Sequence, residues 1–371
     1  MQQIARSFCA GAWSEPLPRE LDSSRTVVFV FGAPEYALDD APFADLRAAF
    51  PRSHIVGCST GGEIMGPSIL DGSVTVIVAC FERTEIRTAR EPVTRHTSFE
   101  AGVRLARTVA AEDLRGCFLL ITGNDVNGGH LTDGLKSVLG TTPISGGLAA
   151  DGPRFGKTWL IDDGRPRQGI ACIVGFYGDA IRLGHGTKAG WDKFGPERVI
   201  TRAKGNVVFE LDGRPALDLY KAYLGDQAAA LPGSAVYHPL AIRTSRASPE
   251  QYVRGVMGHS EADRSLTFVD DMPEGALAQL MRANFDRLVD AAGAAATIGR
   301  FDGASLCIAV SCVARRMVLG AREEEETEAI NDAMAGCLVA GFYSHGEISP
   351  NELGECSVHN QTMTVMTFSE A

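Results

Sequence analysis

Several residue groups in the chain have the types and spacing of known chemistry. Gly57-Cys58-Ser59-Thr60-Gly61 has the G-x-S-x-G spacing that, on a strained strand-to-helix turn, exposes a serine nucleophile beside backbone oxyanion donors. The preceding residues suit a strand, but Gly62 to Gly72 is rich in glycine and proline and runs into β-prone sequence rather than a helix. No histidine is tied to Ser59 by a local signal, so the expectation is a glycine-rich turn closing a strand and no catalytic residue. Gly152-Pro153-Arg154-Phe155-Gly156-Lys157-Thr158 resembles a phosphate-binding loop one residue short, again followed by a β-run. Without a helix N-terminus to hold an anion, a nucleotide site is not expected there. Cys356 and His359, with His345, have ligand-like spacing, yet a closed zinc site needs four ligands and no second pair exists; the expectation is no metal. The acidic run Glu323 to Glu326 reads as a solvated face favoured by a helix dipole.

Two glutamates stand out by repetition. Gly57-Cys58-Ser59-Thr60-Gly61-Gly62-Glu63-Ile64 and Gly341-Phe342-Tyr343-Ser344-His345-Gly346-Glu347-Ile348 share the first glycine and the closing Gly-Glu-Ile, and a proline follows each, at Pro67 and Pro350. Each turn places a carboxylate at a strand end, where it can pair an ammonium group while free backbone N–H groups hold a carboxylate. Ser59, Thr60, Glu63, His345 and Glu347 are therefore the candidate ligand-binding residues. The equally open alternative is that each glutamate accepts hydrogen bonds only from its own turn.

The elements that must position these residues recur. Val27 to Phe31, a helix at about Phe43 to Phe50 and His54 to Cys58 form strand, helix, strand and glycine turn, followed by a strand at Gly72 to Phe81. Cys117 to Thr122, Leu131 to Leu139 and Pro143 to Leu148 repeat the order, as do Ser305 to Cys312, Glu323 to Ala335 and Cys337 to Phe342. The expectation is a mixed α/β (α+β) protein of two β-rich halves with packed helices, carrying an internal repeat of one strand-helix-strand-turn-strand unit in Val27 to Phe81 and Ser305 to Phe368. Between the outer units, Arg198 to Leu211 reads as β, Ala216 to Leu224 as a helix, Ala235 to Ile242 as a strand and Gly275 to about Ala291 as the longest helix. A boundary near Asp212 to Ala216 gives an N-terminal domain at 20–213 and a C-terminal one at 214–371.

Composition bounds the rest. In 371 residues, 45% hydrophobic and 22% charged, there is ample material for a buried core. The 46 acidic and 35 basic side chains, a formal charge of −11, repel a phosphate backbone or an anionic bilayer, and no basic patch overrides them, so neither nucleic acid nor a membrane is expected as a partner. No apolar run reaches the roughly 20 residues of a membrane span and Met1 to Gly11 does not read as a signal peptide. With nine scattered cysteines reading as reduced, buried thiols, the expected compartment is the cytoplasm.

These segments, in order, resemble the two-part FIST sensory module of bacterial signal-transduction proteins. The carrying residues are Ile55 to Ile64, Gly146-Gly147-Leu148-Ala149-Ala150-Asp151-Gly152, Gly190-Trp191-Asp192, Pro215 to Tyr220, Met272-Pro273-Glu274-Gly275, Gly341 to Ile348 and His359-Asn360-Gln361-Thr362. Departures are Ala150 in place of glycine, Asn124-Asp125 in place of a Gly-Leu-type step, and His238 and His345 where an aromatic is expected. The resemblance implies a non-enzymatic sensor of a small-molecule or gas ligand, passing its signal to a histidine kinase or a cyclic-di-nucleotide enzyme. Stand-alone members include haem proteins that detect nitric oxide, which makes non-covalent haem b an expected cofactor. An axial imidazole in apolar surroundings is then needed; His238, between Ala235-Val236-Tyr237 and Pro239-Leu240-Ala241-Ile242, ranks first and His359 second. The alternatives are a cofactor-free pocket for an amino-acid-like metabolite and, behind it, a hydrolase at Ser59. The Asn-Gln-Thr continuation of His359 suits a structural hydrogen-bond network.

Overall fold

The computed structural model describes residues 1–371 except 124, 249–250 and 352–353; the Asn124 departure therefore lies outside the described residues. The chain is mixed α/β, with 40% of residues in strands and 27% in helices. Three sheets follow one pairing pattern. In the first, Thr26–Gly32 runs parallel to His54–Ser59 and antiparallel to Val74–Cys80, which in turn pairs with Gln2–Cys9. In the second, Leu114–Ile121 lies between parallel Ile144–Leu148 and antiparallel Ile170–Tyr177, with Glu85–Pro92 beyond. In the third, Leu306–Cys312 lies between parallel Leu338–Ser344 and antiparallel Met363–Glu370, with Ile181–Lys188 beyond. The central strands are apolar on both faces, as strands covered on both sides must be.

One face of each sheet enters a shared core, where Phe29 and Phe31 meet Phe118, Phe342 and Phe368. The opposite faces are covered by helices: Ala41–Ala49 on the first sheet, Ser98–Val109 and Gly128–Leu139 on the second, Phe285–Gly299 and Glu323–Ala333 on the third. The result is a three-sided prism. Its sheets exchange edges in a cycle. Glu63–Met65, just after the first sheet's turn, pairs with Leu338–Ser344 of the third. Gly346–Pro350, just after the third sheet's turn, pairs with Ile144–Leu148 of the second, and Leu160–Asp162 pairs with His54–Ser59 of the first.

The chain between Ile181–Lys188 and Phe285–Gly299 forms a fourth, largely antiparallel sheet, on which the helix Ala216–Leu224 packs. Two readings of this region are corrected. The segment at Gly275 is not the start of the longest helix: Leu277–Arg282 is a strand pairing with Leu240–Arg243, and the helix begins at Phe285. Helical spacing of Leu277, Leu280 and Met281 coincides with burial on both faces of that strand. His238 likewise lies not within a strand but just after the 3-10 turn Gly233–Tyr237. All nine cysteines are free; six are buried as expected, whereas Cys80 and Cys337 are half-buried and Cys9 is exposed.

Candidate functional site

The three glycine turns meet at one end of the prism. The carbonyls of Ser59, Leu148 and Tyr343 each accept a bond from the next unit's turn: Ala150 N–H at 2.9 Å, His345 N–H at 3.2 Å and Gly61 N–H at 2.8 Å. Just before these residues stand Gly57, Gly146 and Gly341, paired with Val30, Leu119 and Ala309. A Cβ at any of the three would overlap the carbonyl oxygen of that partner, so close strand approach dictates glycine.

This ring brings Ser59, Thr60, Glu63, His345 and Glu347 to one end of the molecule. Ser59 is fully buried, its hydroxyl accepts the Trp159 N–H at 3.0 Å, and no histidine is among its hydrogen-bond partners. Thr60 donates to Glu63 Oε1 and Ser73 donates to Oε2 at 2.6 Å. The third unit repeats this: Ser344 donates to Glu347 Oε1 at 2.6 Å, while the Thr362 N–H at 3.1 Å and hydroxyl at 2.8 Å donate to Oε2. Burial pushes both carboxyls up to about 7 against the opposing pull of these donors. Each glutamate thus ties its own turn, through Thr60 or Ser344, to a second segment at Ser73 or Thr362.

His345 Nε2 lies 2.9 Å from the Gly152 carbonyl and 3.5 Å from Asp151 Oδ1, with its ring stacked on Phe155 at 4.2 Å. Burial lowers its pKa, which favours the neutral ring. On one side of the 151–155 segment is a cleft of about 470 Å³ in which Arg316 binds Asp71 at 2.6 Å and the Gly61 carbonyl at 2.7 Å, and Arg154 binds Glu35 at 2.6 Å, while Asp151 Oδ1 has no hydrogen-bond partner among the described residues.

On the other side is a cavity of about 250 Å³ between the prism and the fourth sheet. Val236, Val256 and Val269 line it from the inserted region, Val313 and Met317 from the short helix Val313–Leu319, and His345, Asn360 and Gln361 from the prism. Both polar atoms of the Asn360 carboxamide and Oε1 of Gln361 are buried without a hydrogen-bond partner among the described residues. The Asn-Gln-Thr segment is therefore only partly the hydrogen-bond network expected of it: Thr362 serves Glu347, but Asn360 is unsatisfied. Gln361 also has φ +55, a left-handed backbone that costs a side-chain-bearing residue about 1 kcal/mol or more. Its carbonyl accepts the Trp191 indole N–H at 2.8 Å. These two amides, adjacent in a motif but carrying no catalytic pattern, had no chemical signal to single them out.

The helix Val313–Leu319 is anchored from behind. Arg315 is fully buried with Glu326, at 2.6 Å, and donates to the Ala189 and Leu288 carbonyls at 2.6 and 2.7 Å. Glu326 also accepts from Ser311 at 2.6 Å. This corrects the reading of Glu323 to Glu326 as a solvated face, because the last of the four neutralises a buried arginine and Glu323 binds Arg316 at 2.9 Å.

The two histidines considered for haem lie away from the cavity lining. His238 Nε2 is 2.7 Å from Gln227 Oε1. His359 is enclosed, with Nε2 3.1 Å from the Ser349 carbonyl and 3.3 Å from the Ser357 hydroxyl, and burial pushes it down to about 4. Neither histidine is among the residues lining that cavity, and Nε2 of each lies within hydrogen-bond distance of a protein group. Among the described residues no group of three or more His, Cys, Asp or Glu is placed to hold a metal ion, and Cys356 instead contacts the Ile144 carbonyl at 3.3 Å.

The FIST N domain model matches residues 26–214 and the FIST C domain model residues 216–350. An uncharacterized protein of Methanocaldococcus jannaschii is 25% identical over 301 residues, 74% of this chain and 57% of its own length. One of Mycobacterium bovis is 26% identical over 239 residues, 61% of this chain and 60% of its own, so this chain spans well under two thirds of both relatives. One of Mycobacterium tuberculosis is 25% identical over 341 residues, 88% of this chain and 86% of its own. A solved cyanuric acid hydrolase from A. caulinodans aligns with 100% of the chain at 11% identity and a TM-score of 0.34, a value on which neither fold nor activity is transferred.

Proposed function

Since the chain belongs to the FIST family, whose domains bind small ligands in signalling proteins, we propose that it is a non-catalytic sensor whose ligand sits, without a cofactor, in the cavity between the prism and the fourth sheet. The observation that carries this is the unsatisfied amide groups on its wall, the whole Asn360 carboxamide and Oε1 of Gln361. A buried carboxamide left without partners costs about 1–3 kcal/mol, a cost that a bound molecule removes. The apolar lining with a few convergent polar groups is the ordinary make-up of a small-molecule pocket.

The two walls come from different parts of the fold, so a ligand touching both shifts the placement of the inserted region relative to the prism. A partner reads that shift; a histidine kinase or a cyclic-di-nucleotide enzyme in the cytoplasm is the proposed recipient. No helix among the described residues is long and apolar enough to cross a membrane.

Ligand-induced melting shifts across a library of metabolites test this reading. At least one compound is expected to raise the Tm of the purified protein, and the shift is expected to disappear in Met317→Trp, which fills the cavity from its exposed edge. No shift with any compound, or a shift unaltered by that substitution, overturns it. The haem reading is tested by visible spectra: a Soret band that moves in His238→Ala or His359→Ala restores it, whereas the cofactor-free reading expects no specific haem complex.

A further inference from the structure

The chemistry of the cavity wall narrows the ligand class, an inference that rests on the cavity being the sensing site. We infer that the ligand is an uncharged molecule with an apolar body and a lactam or imide edge, the cis-amide in which N–H and C=O lie side by side.

Charge is excluded first. No Lys, Arg, Asp or Glu lines the cavity. His345, the one imidazole on the wall, has its pKa lowered by burial and bonds the Gly152 carbonyl through Nε2, leaving Nδ1 without a partner among the described residues. An ammonium or carboxylate entering this space would lose its hydration with no counter-charge, a penalty of several kcal/mol. The zwitterion of a free amino acid is therefore the wrong guest, and the amino-acid-like metabolite expected from Glu63 and Glu347 gives way, because both carboxylates are occupied by Thr60, Ser73, Ser344 and Thr362.

The polar match comes next. Asn360 lines the cavity and is 1% exposed, and its Oδ1 and Nδ2 both lack partners, so its carboxamide, turned towards the cavity, offers one acceptor and one donor side by side. A cis-amide edge offers the complementary donor and acceptor at the same spacing and makes two bonds at once. Trans-amides and esters cannot: the first separate the two groups, the second lack the N–H. Gln361 is 3% exposed; its Nε2 is directed at the Val236 carbonyl at 3.3 Å, while Oε1 remains for a further N–H. Both residues line the same cavity. Size completes the picture, since about 250 Å³ lies just under the roughly 300–1,000 Å³ of pockets for drug-sized ligands. Cyclic dipeptides and pyrimidine bases share this chemistry.

Titration calorimetry on the full chain separates the possibilities. The probes are cyclo(Ala-Val), thymine, their N-methylated counterparts and free valine. One or both lactam probes are expected to bind, at least tenfold more tightly than the N-methylated form and than valine. Asn360→Leu is expected to abolish that preference, and Gln361→Met, which keeps Asn360, to weaken binding several-fold, so a folding failure of the first variant leaves the second to decide. Preference for cyclo(Ala-Val) over thymine identifies the peptide source, and the reverse the nucleobase source; either supports the inference. Tight binding of valine, equal binding of the N-methylated forms, or no binding of any probe while another compound gives a shift that Met317→Trp removes overturns the lactam class and leaves the sensing site standing. If no compound gives such a shift, the sensing site falls as well.

Discussion

Glu63 and Glu347 occupy matching stations in two of the three turns, and their titration has a definite sign. Unfolded, each carboxyl titrates near its ordinary 4.5; folded, burial moves it to about 7. Between those values the folded state holds more protons than the unfolded one, so these two groups make stability fall as pH rises from about 4.5 to about 7 and contribute no further change above it. Urea unfolding at pH 5 and pH 7.5 should show that loss, and Glu63→Gln or Glu347→Gln should each reduce its slope. Gln361 gives a second expectation. Gln361→Gly removes the left-handed backbone cost together with the amide, so the unliganded protein should keep its stability to within about 1 kcal/mol while ligand affinity drops. The sequence made the two Gly-Glu-Ile turns legible because identical residues recur at matched spacing. It did not make the unsatisfied Asn360 carboxamide and Gln361 Oε1 legible, since whether a polar group finds a partner, as Gln361 Nε2 finds the Val236 carbonyl, depends on neighbours more than 100 positions away.

At the level of elements, glycine carries the most specific constraint. Gly57→Ala, Gly146→Ala and Gly341→Ala each set a methyl against a backbone carbonyl, and each should lower stability by about 3 kcal/mol or more. Gly146 adds a φ of +144 to that overlap. Gly258→Ala, with open space around it and no positive φ, should change stability by less than about 0.5 kcal/mol. Chemical denaturation of the four variants checks both statements. Several helices were readable: Gly128–Leu139, Ala216–Leu224 and Glu323–Ala333 lie close to where the sequence puts them. Leu277–Arg282 was not, because a short apolar run buried on both faces matches a helix as well as a strand. The helix Val313–Leu319 escaped notice for a related reason: its two arginines look solvent-facing, yet Arg315 points inward to Glu326.

Across the whole molecule, the recurrence of strand, helix, strand and turn is visible in the sequence, but the exchange of edge strands is not. Nothing in Glu63-Ile64-Met65 says that it pairs with a strand beginning at Leu338. That exchange also governs how the protein bears load. Tension applied at the two ends reaches Gln2–Cys9 and Met363–Glu370 first, and the latter is clamped between Leu306–Cys312 and Ile181–Lys188. The inserted sheet hangs in the loop behind Ile181–Lys188, shielded from the pull until that strand lets go. A force-extension trace should therefore show one large rip for the interlocked sheets, never three separate ones, with the inserted region lengthening only afterwards. The part of the molecule proposed to shift with the ligand is thus the part that a pull on the chain reaches last.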